Sequence, residues 1–129
     1  MKDIILIGGA EGMGKSTLAK QLAAHFQVPW ISTDQIRTIL RIEEPDEAKR
    51  MELIWQGVAT LVKSPHPWEG AVIEGTAILP DFVKQDLEEV GYVIPIYLTQ
   101  DDREYAKAQE VLGIDSETEH TLERLDSNI

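Results

Sequence analysis

The sequence predicts an α/β protein in three layers, with a short, four-stranded parallel sheet flanked by helices. Two observations carry that prediction. Four short apolar runs, 2–7, 28–32, 71–74 and 92–98, alternate with longer stretches whose apolar residues recur at helical spacing. Strands that alternate with helices are joined by right-handed crossovers, so the sheet is parallel and covered on both faces. The 129 residues read as one domain, 1–129, whose last part, 100–129, is helical and acidic.

The first run, IILIG, is rich in isoleucine and stops at Gly8 and Gly9, as a buried strand does. Over 16–26, Leu18, Leu22 and Phe26 recur every fourth residue, and Ala19 and Ala23 beside them let a helix lie close to a sheet. The strand at 28–32 carries Pro29 near its start, and Thr33 and Asp34 offer capping oxygens to a helix bearing Ile36, Ile39 and Leu40. A turn at 43–46 opens a longer helix with the stripe Ala48, Met51, Trp55, Val58 and Val62, which Ser64-Pro65-His66-Pro67 stops. Strand three, 71–74, ends in Glu74-Gly75. A helix with Phe82, Val83 and Leu87 follows and is closed by Gly91. Strand four, 92–98, contains Pro95, which cannot donate to a ladder and therefore suits an edge. Two helical segments remain, 101–112 and a tail from Asp115 with a capping box, Ser116 and Glu119.

Composition excludes several function classes. Without cysteine there is no disulfide, thiolate metal site or thiol nucleophile, and the three histidines lack metal-ligand spacing. A net charge of −11 argues against a broad nucleic-acid face. No apolar stretch approaches a membrane span, and the amino end turns to glycine too early for a secretory signal, so a soluble cytoplasmic protein is expected.

Residues 9–16, GAEGMGKS, match G-x-x-x-x-G-K-[ST] between the first strand and the first helix. Average residue frequencies produce this pattern by chance in roughly one chain in 200 of such length, and the flanking strand and helix lower that further. Each part acts on negative charge. Glycines let main-chain N–H groups approach phosphate oxygens, and a helix amino end directs its dipole at the anion. Lys15 supplies a movable ammonium and Ser16 a hydroxyl for Mg²⁺. Residues Gly9, Ala10, Glu11, Gly12, Met13, Gly14, Lys15, Ser16 and Thr17 are therefore the expected nucleotide-phosphate site, and the fold becomes a P-loop nucleotide-binding fold.

The stretches IGGAEGMGKSTLAKQLA, ISTDQIR and VIEGTAILP together resemble the P-loop small-molecule kinases, the group of adenylate-kinase-like, gluconate-kinase-like and 2-phosphoglycerate-kinase-like enzymes. The last is echoed most closely, in the Gly-Gly pair, the Ser-Thr-Asp-x-x-Arg segment and the Glu-Gly after strand three. The resemblance spans about residues 1–99, and the first motif alone is specific. It implies transfer of the γ-phosphoryl of ATP with Mg²⁺ to a small-molecule acceptor. It sets Asp34 and Arg37 beside that acceptor, and Glu74 near the metal's water shell or the acceptor. Many such kinases have aspartate where Glu74 stands. The family's lid corresponds to the helix after strand four and would present Arg103, with Lys107 four residues on.

Residue chemistry supports some of these roles independently. Asp34 and Arg37 share one helical face, which Arg41 extends; a carboxylate there accepts a proton from a hydroxyl, and guanidinium groups hold an anion. The ordinary alternatives are an N-cap for Asp34, a solvated charge for Arg41, a strand-end residue meeting solvent for Glu74 and an exposed helix for Arg103 and Lys107. Met51 and Trp55 read as core, Trp30 and Trp68 as packing residues, and His25, His66 and His120 have nothing nearby to pair with.

The resemblance also breaks. Family members add a fifth strand after the lid, whose following loop helps hold the base, and none is legible here. The sheet is expected to stop at four strands or to complete itself in a homodimer across that edge. A non-catalytic nucleotide- or phosphate-binding module, acting as sensor or partner subunit, is the alternative function. A GTPase reading fails, because there is no Asn-Lys-x-Asp motif and no Asp-x-x-Gly after strand three.

Overall fold

Strand and helix alternate as the periodicity requires. The computed structural model describes residues 2–99. In chain order these form β1 (Ile4–Gly8), α1 (Lys15–Phe26), β2 (Trp30–Ser32), α2 (Thr33–Ile39), α3 (Glu47–Lys63), β3 (Ala71–Glu74), α4 (Pro80–Leu87) and β4 (Val93–Tyr97). Arg103, Lys107, His120, the Ser116–Glu119 capping box and the expected lid lie outside the described residues.

The four strands make one parallel sheet in the order β2-β3-β1-β4. Side chains alternate across it. Ile4 and Leu6 join a core with α2, α3 and α4, centred on Trp55, Val58, Ile73 and Ile78. Ile5 and Ile7 face the other way, against Leu18, Ala19 and Leu22 of α1. The three-layer prediction therefore holds, with α1 covering one face and the other three helices covering the opposite one.

Pro95 sits, as predicted, on a strand that is an edge among the described residues. The Leu98 N–H donates to Gly8 O at 2.9 Å, so the even-numbered residues of β4 face β1. The odd-numbered Pro95 then turns its nitrogen to the outer edge, where no ladder bond is lost.

Several sequence expectations need correction. Val28 and Pro29 are not in β2. Gln27 adopts φ 55° and caps α1, and the Val28 N–H bonds back to Ala23 O at 3.0 Å, while Pro29 O accepts from the Val72 N–H at 2.9 Å just ahead of β2. The N-cap of α2 is Ser32, not Thr33 or Asp34: its hydroxyl accepts from the Asp34 N–H, and Gln35 completes a capping box by accepting from the Ser32 N–H at 3.1 Å. Ala48 is exposed, Ile39 is 77% exposed and Trp30 40% exposed, so none of them packs in the core. His66 does have a partner, the Trp68 carbonyl at 2.8 Å, and its ring stacks on Trp68. Trp55 is core, as expected, and its indole N–H donates to Asp86. An open groove of about 780 Å³ between α2 and α3 is bordered by Ile36, Leu40, Leu53 and Leu61 and shares no residue with the glycine loop.

Candidate nucleotide and acceptor site

Parallel register brings the chemistry to one edge. Ser32 of β2 lies opposite Glu74 of β3, Glu74 opposite Ile7 of β1, and Gly8 opposite Tyr97 of β4. These are carboxyl ends, where open α/β sheets hold ligands.

The glycine loop leaves β1 and enters α1 through backbone angles closed to other residues. Gly12 has φ 77° and Gly14 φ 91°, and a Cβ built on Gly14 meets nothing within 4 Å. Gly14 is also the α1 N-cap, with no side-chain cap and no acidic residue in the first turn. The helix end thus keeps its N–H groups and its dipole for an external anion. Lys15 is buried and its Nζ donates to Ala10 O across the loop at 2.8 Å. Burial lowers the Lys15 pKa, and the Glu74, Glu11 and Asp34 carboxylates pull it back up.

Glu74 is buried, at 4% exposure, and so is not the strand-end residue meeting solvent that was the ordinary alternative. Gly75 follows it for a steric reason: a Cβ there would overlap the Thr33 side chain, so the amino end of α2 packs directly on the end of β3. Asp34 is exposed and, with the cap supplied by Ser32, has a carboxylate that makes no hydrogen bond to any described residue. Arg37 is exposed and its Nε donates to Ile42 O at 3.4 Å. Arg41 is also exposed, at φ 53°, and does not line the site.

A cavity of about 520 Å³ joins these parts. Gly9, Ala10 and Glu11 of the loop face Asp34 and Arg37 of α2, with Thr76 and Ile78 between. Sequence reasoning missed Arg50, Glu47 and Tyr97, which also line it. Arg50 is positioned by the Glu44 carbonyl, at 3.2 Å from its guanidinium. No local spacing marked it, because it comes to the cavity through the packing of α3. Met51, read as core, is half-buried and forms part of the cavity wall.

Comparison with known proteins agrees with this geometry. A family profile described as an AAA domain matches residues 4–61. The 2-phosphoglycerate kinase of Methanocaldococcus jannaschii is 28% identical over 126 residues, 74% of this chain and 41% of that protein. A gluconokinase from Sinorhizobium meliloti superposes with a TM-score of 0.56 at 16% identity, over 74% of this chain and 57% of that one. A shikimate kinase from Bacteroides thetaiotaomicron gives 0.55 at 23% identity, over 75% and 59%. These likenesses together support a place for the chain among the P-loop small-molecule kinases. The chain spans 41% and 51% of the length of two curated relatives that it matches.

The donor set fits magnesium triphosphate. The space beside Gly14 and the uncapped amides suit phosphate oxygens. Ser16 is exposed in the first turn of α1, and Glu74 is a hard oxygen donor within electrostatic reach of Lys15. Among the described residues no group of three or more histidines or carboxylates is arranged to hold a metal.

Proposed function

We propose that this chain transfers the γ-phosphoryl of Mg-ATP to a small anionic acceptor offering a hydroxyl or phosphate oxygen. One observation carries the reading: one cavity extends from the start of the glycine loop, Gly9 to Glu11, to the Asp34 carboxylate and the Arg37 and Arg50 guanidinium groups. A module that only binds nucleotide has no use for that second half.

The residues divide the work. The loop amides and Lys15 hold the phosphates and follow the charge as it develops. Arg37 and Arg50 hold the acceptor's anionic group in line, which supplies alignment. Asp34 takes the proton when the acceptor is a hydroxyl. The acceptor oxygen then bonds to the γ-phosphorus, the bond from that phosphorus to the β,γ-bridging oxygen breaks, and ADP leaves with that electron pair. A phosphate acceptor is already ionised and needs no base. Magnesium, held with Ser16 and through water by Glu74, would neutralise phosphate charge. The relative's name makes 2-phosphoglycerate the first acceptor to try.

The test mixes the protein with Mg-ATP and a panel of 2-phosphoglycerate, nucleoside monophosphates and sugar acids, followed by phosphorus NMR. Acceptor-dependent ADP with a new phosphoryl product is expected, and Lys15→Ala abolishes it. Tight ATP binding with no transfer to any panel member replaces this reading with that of a nucleotide sensor.

A further inference from the structure

Tyr97 stands at the carboxyl end of β4, opposite Gly8 in register, and lines the same cavity as Gly9, Asp34, Arg37 and Arg50. Its ring packs against the core on the α3 and α4 face. The neighbouring strand accommodates it: a Cβ on Gly8 would lie 3.0 Å from Tyr97 Cδ1 and would also overlap the Ile78 carbonyl. The last residue of β1 therefore has no side chain where the ring passes.

The hydroxyl carried by this fixed ring has no hydrogen-bond partner among the described residues. Tyr92, five residues earlier, shows the contrast, because its hydroxyl donates to Val62 O at 3.0 Å. This half-buried phenol, without a partner among the described residues, stands on the wall of the cavity, where an oxygen of a bound ligand would accept from it.

We propose that Tyr97 contacts the acceptor, donating a hydrogen bond from its hydroxyl to an anionic oxygen of the molecule held by Arg37 and Arg50. The assignment rests on the phosphotransfer reading of the same cavity. A neutral donor suits this position. The cavity already sets the Arg37 and Arg50 cations against the Glu11, Asp34 and Glu47 carboxylates, so a phenol adds a directed donor without adding charge. Burial raises the Tyr97 pKa, which keeps the hydroxyl a donor well into alkaline solution. The contact also favours acceptors that present an oxygen on the β4 side of the cavity over those whose anionic group reaches the guanidinium groups alone.

Tyr97→Phe keeps the ring and removes the donor. The full chain, wild type and variant, is loaded with Mg-AMPPNP so that the glycine loop is filled, then titrated calorimetrically with 2-phosphoglycerate and each other panel compound. The expected result is unchanged Mg-AMPPNP affinity and melting midpoint, with acceptor affinity weakened about 10-fold, the loss for one hydrogen bond to a charged oxygen. Probe affinity within twofold of wild type overturns the assignment, as does the absence of binding by every probe to the loaded wild type. Transfer is read separately by phosphorus NMR. A weakened probe without transfer removes the kinase reading and keeps Tyr97 as a ligand contact. Transfer with undiminished affinity keeps the kinase and removes Tyr97.

Discussion

Asp34 changes its meaning once Ser32 is seen to cap α2. An aspartate at a strand-to-helix junction is ordinarily explained by the cap, and here that explanation is taken by its neighbour's hydroxyl and by Gln35. What remains for the Asp34 carboxylate is a first-turn position, stabilised by the helix dipole by about 0.5 kcal/mol, and a place on the cavity wall. Stability and turnover therefore separate. Asp34→Asn is expected to lower the unfolding free energy by no more than about 0.5 kcal/mol, while lowering turnover on a hydroxyl acceptor by about 10². ATP affinity should stay nearly intact. Denaturant titration and steady-state kinetics on the same preparation check both halves. Unchanged turnover with a hydroxyl acceptor removes Asp34 from proton transfer.

At the scale of elements, the site depends on how closely the start of α2 meets the end of β3. Gly75 has no room for a Cβ because Thr33 occupies the space, and Thr33 is itself 4% exposed. Gly75→Ala is therefore expected to destabilise the fold by about 2 kcal/mol, as overpacking does, and Thr33→Ala in the same chain to recover part of that loss. Thermal melts of the two single variants and the double variant give the coupling. Additive losses would mean that the two elements do not share this contact. Much at this scale was legible in the sequence. β1, the glycine loop, α1 and β3 follow from apolar runs bounded by glycine, whose signals are local. The start of β2 was not, because Val28 is apolar and only the backbone bond to Ala23 assigns it to the end of α1. Arg50 and Tyr97 were not legible either. They join the cavity that Asp34 lines through the packing of α3 and the order of strands in the sheet, which no local spacing encodes.

For the whole molecule, the formal charge of −11 sets the terms on which a polyanion arrives. The site does not offset it locally. Lys15, Arg37 and Arg50 stand beside Glu11, Asp34, Glu47 and Glu74, three cations against four carboxylates. Beyond the loop the field is therefore negative, and affinity for phosphate comes from contacts made within a few ångströms. Salt reaches the long-range part first. Raising the ionic strength from about 10 mM to about 150 mM shortens the Debye length from roughly 30 Å to roughly 8 Å, which screens the far repulsion and leaves the loop contacts. The association rate of a fluorescent Mg-ATP analogue, measured by stopped flow, should therefore rise about two- to threefold over that range. Its dissociation rate should change less, because the bound phosphates sit inside the screening distance. A falling association rate would mean that the loop and its helix dipole, not the net charge, govern the approach, and would put the steering field within one Debye length of Lys15.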